Sequence, residues 1–200
     1  GSGNLTTGVG YKMSDKHPPY DGENGPYIEH YTSTASGVIN SYYRTRKFDE
    51  NNSAYLTKDE MPDYTHALDA TLAQTNTPRD MILYRGIGTE GFSKFDQLKV
   101  GDSFKDSGYC STTPDPEQLW DFMPANGDAK GAVLEISLPQ GSRALSVQKY
   151  FDKVSPAYAP SEAILKENEH ILPRGTKFTV TGIGETRQSL NSKRPGAPAD

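Results

Sequence analysis

Cysteine is almost absent: Cys110 is alone in 200 residues, which excludes an internal disulfide framework and a cysteine-based zinc cluster. Long apolar runs are missing too. None approaches the roughly 20 residues that would span a bilayer, so the chain carries no helical membrane span. Positive charge is in deficit, with 21 Lys and Arg against 26 Asp and Glu, a formal net charge of -5. That balance argues against a sequence-blind grip on nucleic acid, where Lys and Arg must neutralise phosphates. Hydrophobic residues are 34%, low for a compact domain, and this points to long surface loops around a single core.

What is present falls into two textures. Residues 1–27 are rich in Gly, Pro, Ser and Asp and read as an irregular lead-in. Its Gly1-Ser2-Gly3 start resembles a cloning scar on a piece of a longer polypeptide. From Ile28, apolar residues at Tyr31, Ala35, Val38, Ile39 and Tyr42 keep helical spacing up to the basic run Arg44–Lys47. A second helix is expected over 59–75, with Pro62 near its start. Beyond Pro78 the pattern turns to strands: 81–85, 109–113, 132–138, and a hairpin-like pair, 169–172 and 177–183, around Pro173-Arg174-Gly175. A short helix fits 115–123, a loop fits 153–160, and 188–200 reads as a flexible tail. Helices first and strands after predict an α+β domain over 28–187 rather than alternating βαβ units.

One glycine motif misleads. Gly86 to Gly91 matches G-x-G-x-x-G after a predicted strand, but no long helix and second parallel strand follow, as a dinucleotide fold requires. The more telling residues are spread over three strands. Tyr84-Arg85-Gly86 sets an arginine at a strand end. Ser111-Thr112-Thr113 lines up three hydroxyls, and Glu167-Asn168-Glu169 sets two carboxylates at i and i+2. On a strand, residues two apart share a face about 7 Å apart, so Glu167 and Glu169 are expected to point the same way. Taken singly, each piece has a plain reading as a surface ion pair, an edge strand or a solvated charge pair.

Taken in order, the three segments resemble the Arg–Ser–Glu class of ADP-ribosyltransferase toxins and effectors. The residues are Tyr84-Arg85-Gly86, Gly108 to Thr113 and Glu167 to Phe178, and Ile39 to Arg44 looks like the I-N-x-Y-x-R helix of actin-modifying binary toxins. The resemblance spans roughly 31–180. It implies an ADP-ribosyltransferase fold, a helical N-terminal part followed by a two-sheet mixed β-sandwich. It also implies NAD+ as co-substrate and transfer of ADP-ribose to a side chain of a host protein such as actin. By the same resemblance the chain is a monomeric catalytic domain of a longer toxin or toxin complex, secreted or delivered into a target cell.

Roles follow residue by residue. Arg85, with Gly86, would anchor the pyrophosphate, where a planar guanidinium makes bidentate, charge-assisted bonds. Glu169 would be the catalytic carboxylate facing an oxocarbenium-like ribose, oriented by Ser111, with Thr113 shaping the site. Glu167 would align an acceptor arginine and help it lose a proton, which an amide at that position would not do. Tyr31, Asn40 and Phe122 would contact the nicotinamide and ribose side, and Tyr158 the target protein. Two features depart from the family pattern: Gly86 stands where some binary toxins have a second arginine, and the 153–166 loop differs in spacing. His170 and Cys110 read as structural. The alternatives are an NAD+ glycohydrolase, a transferase acting on threonine or a free guanidine, a silent NAD-binding module, and a glycosidase using the two carboxylates.

Overall fold

A computed structural model describes residues 21–88, 94–122, 131–153 and 159–184. The first helix begins earlier than its apolar pattern suggests: α1 spans Asp21–His30, with Pro26 inside it, so 21–27 are helical rather than an irregular lead-in. A π-turn, Tyr31–Ala35, joins α1 to α2, Ser36–Thr45, and the Ser36 N–H reaches back to the Tyr31 carbonyl. The extra residue in this turn rotates the following face. Ile28, Tyr31, Ala35, Val38 and Ile39 go into the core, while Ser36, Gly37, Asn40 and Arg44 come out along a cleft. α2 stops where Arg46 turns left-handed (φ 65°) and its N–H caps the Tyr42 carbonyl.

α3, Met61–Ala73, starts from a 3-10 turn at Lys58–Glu60, where Thr57 and Glu60 form a capping box and Pro62 sits in the first turn. It buries Met61, Tyr64, Ala67, Leu68 and Leu72, and this face packs with the α1–α2 face into the larger of two cores.

The strands are β1 (Met81–Ile87), β2 (Ser103–Asp106), β3 (Cys110–Thr112), β4 (Ala132–Leu138), β5 (Leu145–Ser146), β6 (His170–Leu172) and β7 (Thr176–Thr179). β1 pairs with β4, β2 with β7, and β6 lies between β3 and β5; every one of these pairings is antiparallel. An isolated bridge, Tyr84 to Thr113, ties β1 to the end of β3. Leu83, Cys110, Ile136, Ala144 and Leu172 form the second core. The α+β class thus holds, with helices before antiparallel sheets.

Three local expectations change. The segments around Pro173-Arg174-Gly175 do not pair with each other: β6 joins β3 and β5, whereas β7 joins β2. Gly175, at φ +77°, turns the chain from one sheet to the other, and its N–H bonds the Asp106 carbonyl. Glu167 to Glu169 are not strand either. They form the turn after a short helix, α5 (Glu162–Leu165), and Asn168 is left-handed at φ 52°. The 115–123 helix is a 3-10 stretch, Pro116–Phe122, and another helix, α4 (Val147–Lys153), precedes the loop. The 188–200 tail and much of the 153–160 loop lie outside the described residues.

Candidate active site

A cleft of about 250 Å³ opens between α2 and the β1–β3–β6 end of the sheets. Its wall includes Asn40, Arg44, Arg85, Gly86, Ser111, Thr113, Glu167 and Glu169, so residues from four distant stretches of chain meet here. β3 is the organiser. Its pairing with β6 sets Ser111 opposite Ile171, and the Ser111 hydroxyl donates to Glu169 Oε2 at 2.5 Å. The next two hydroxyls serve the main chain: Thr112 Oγ1 donates to the His170 carbonyl at 2.7 Å and Thr113 Oγ1 to the Glu167 carbonyl at 3.2 Å.

Glu169 is half-buried and Glu167 is exposed. Burial pushes the Glu169 carboxyl up to about 7, the Ser111 hydrogen bond pulls it down, and the neighbouring Glu167 charge raises it again. The two carboxylates do share the cleft, but the left-handed Asn168 between them, not strand alternation, brings them there.

The opposite wall is basic. Arg44 makes a two-point ion pair with Asp106, Nε to Oδ1 at 2.9 Å and Nη2 to Oδ2 at 3.0 Å, and also donates to the Tyr109 carbonyl. Arg85 Nη1 lies 3.9 Å from the same Asp106 carboxylate, so one acid sits between two guanidiniums. Asn40 clamps helix to strand: its Nδ2 donates to the Tyr31 hydroxyl and its Oδ1 accepts the Tyr109 N–H. Gly108 permits this approach, since a Cβ there would stand 3.0 Å from Asn40 Oδ1 and 3.1 Å from Arg44 Nε.

Of the residues singled out in the sequence, Arg85, Gly86, Asn40, Ser111, Thr113, Glu167 and Glu169 converge on the cleft. Tyr31 does not reach its surface: it is fully buried behind Asn40, edge-on to Tyr109. Phe122 ends the Pro116–Phe122 stretch, and its side chain, like Tyr158, lies outside what the structure describes. Cys110 is buried and its thiol is pushed up by burial, which leaves it unsuited to nucleophilic work. Arg44, Asp106, Gln118 and Leu119 were not singled out for the site. Arg44 had a signal, standing four residues after Asn40 and so on the same helical face. Asp106 had none, because its place depends on how β2 crosses to β3.

Residues 22–194 match the family described as ADP-ribosyltransferase exoenzyme. No curated protein matches the chain in sequence. Several solved structures share the fold. Plx2a, an ADP-ribosyltransferase toxin from Paenibacillus larvae, is 23% identical with a TM-score of 0.53, over 78% of this chain and 74% of that one. C3stau2 from S. aureus, solved with NAD, is 20% identical with a TM-score of 0.60, over 84% of each chain. Vis, an ADP-ribosyltransferase of Vibrio splendidus solved with agmatine, is 18% identical with a TM-score of 0.57, over 82% of this chain and 69% of that one. With a match over most of its length, this chain belongs to the ADP-ribosyltransferase exoenzyme family.

Proposed function

We propose that the protein is a mono-ADP-ribosyltransferase that cleaves NAD+ and passes ADP-ribose to an arginine side chain of a host protein. NAD+ supplies an ADP-ribose joined to nicotinamide by an activated glycosidic bond. The donor set of the cleft suits it: Arg44 and Arg85 on one wall match a dianionic pyrophosphate, and a carboxylate on the other matches the cationic ribose that develops as nicotinamide leaves. Glu169 would take that second role, held by Ser111. Asn40 would hold the ribose side, with Tyr31 supporting it from below.

The observation that carries the acceptor assignment is a second carboxylate, Glu167, lining the same cleft as Glu169 while staying exposed. A guanidinium arriving from a protein surface meets Glu167 first, which can orient it and accept its proton. The agmatine bound to Vis, itself a guanidine, is in keeping with this reading. In such a role the domain would act as a toxin or effector, secreted or delivered into another cell. Water reaching the same exposed edge would make NAD+ hydrolysis a side activity.

The test is Glu167→Gln. ADP-ribosyl-agmatine formation is expected to fall by about 10²-fold or more while nicotinamide release from NAD+ continues. Agmatine modification at the parent rate would reject the role of Glu167. Mass spectrometry of cell lysate incubated with NAD+ then locates the acceptor: modified threonine or asparagine in place of arginine would reject the acceptor itself.

A further inference from the structure

Four consecutive carbonyls in the carboxylate-bearing segment are each tied to a separate donor. Glu167 O accepts from Thr113 Oγ1, Asn168 O from the His170 ring, Glu169 O from the Val147 N–H, and His170 O from Thr112 Oγ1. Three of these donors, Thr112 of β3, Thr113 just after it and Val147 at the start of α4, brace the segment from outside. The fourth is internal. His170 Nδ1 donates to the carbonyl two residues earlier, at 3.0 Å, from a residue that is 8% exposed.

This bond closes over the strained residue of the segment. Asn168 is left-handed at φ 52°, a conformation asparagine tolerates better than most residues but does not favour. An extended Asn168 would also leave the two carboxylates on one face, but with the chain running straight on from β6; the observed turn folds Glu167 back so that its carbonyl meets Thr113 Oγ1. In the left-handed form it turns Glu167 onto the cleft beside Glu169. Glu169 has its own brace in Ser111, so its place does not depend on the Asn168 turn in the same way.

We infer that His170 is a positioning residue for acceptor use: by holding the Asn168 carbonyl it fixes the turn that presents Glu167. This rests on the acceptor reading given above. His170 is not among the residues that line the cleft, so its loss should alter how the product partitions and not how fast NAD+ is split.

The experiment measures agmatine modification and NAD+ hydrolysis in the same reaction, for the parent and for His170→Leu, which keeps a bulky apolar group in β6 but has no donor. The ratio of transfer to hydrolysis is expected to fall about five- to tenfold, on the order of what one hydrogen bond contributes, with hydrolysis within about twofold of the parent. His170→Asn, whose amide can donate in place of Nδ1, should restore most of the ratio. Asn168→Val, which penalises the left-handed turn without touching the core, should reproduce the loss even where His170→Leu folds poorly. An unchanged ratio in a folded His170→Leu overturns the inference, as does an unchanged ratio in Asn168→Val or an equal loss in His170→Leu and His170→Asn. No agmatine product from the parent itself refutes the acceptor reading, and the inference with it.

Discussion

Glu169 holds a proton more tightly than an ordinary glutamate because burial penalises its charge and Glu167 adds repulsion, which together outweigh the Ser111 hydrogen bond. In the role proposed for it, Glu169 is needed in its charged form as the ribose becomes cationic, so activity should fall in mild acid. The kcat/KM for nicotinamide release is expected to rise with pH and level off above about 7, as read from a pH–rate profile of the free enzyme. In Ser111→Ala the inflection should move upward, since a bond to the charged form is gone; an inflection left in place would show that another group limits the rate. The sign for stability runs the other way. A carboxyl whose folded value is raised favours folding in acid, and that contribution is lost as pH rises through about 7. The ionised form, to which the proposed role belongs, is thus the less comfortable one for the fold.

At the level of elements, the cleft exists because a helix and a strand come unusually close. Asn40 on α2 bonds the Tyr109 N–H just ahead of β3, and Arg44, one turn on, bonds the Tyr109 carbonyl, so the helix is stitched to the main chain that leads into Ser111. Gly108 is the spacer that makes this possible. Gly108→Ala is expected to push Asn40 and Arg44 back, costing about 1–3 kcal/mol in urea unfolding. It should raise KM for NAD+ more than it lowers kcat, because it disturbs the wall assigned to binding and not Glu169. Stability and KM both at parent values would show that α2 gives way freely.

Among the described residues the molecule divides its work between two cores. The larger one joins α1, α2 and α3 with Tyr109 and Ile171, and the smaller one lies among the strands. Leu68 is fully buried on α3 and lies outside the set of cleft residues. Leu68→Ala should lower stability by about 2–5 kcal/mol, by chemical unfolding, through lost apolar contact and the void left behind. Its ratio of transfer to hydrolysis should stay that of the parent, measured at a temperature where the variant is folded. A changed ratio would mean that α3 sets the geometry of the carboxylates as well as the stability of the fold. Arg174 supplies a second tie at this scale, pairing with Asp69 at 2.6 Å and stacking over Tyr43, so that the turn after β6 is fastened to the helical half.

Sequence alone determined the α+β class, with helices ahead of strands, and the residue types that meet in the cleft. Apolar spacing marks helices and strands locally, and Arg85, Ser111 and Glu169 carry their chemistry in their side chains wherever they sit. Periodicity failed where the backbone leaves its regular path. A π-turn at Tyr31–Ala35 and a left-handed Asn168 each shift a face without altering the pattern of residue types. The tertiary structure alone decided that β6 pairs with β3 and not with β7, that Tyr31 supports Asn40 from within the core, and that Asp106 sits between two arginines. Those outcomes depend on contacts between stretches tens of residues apart, where closeness is set by packing and not by anything written in the local sequence.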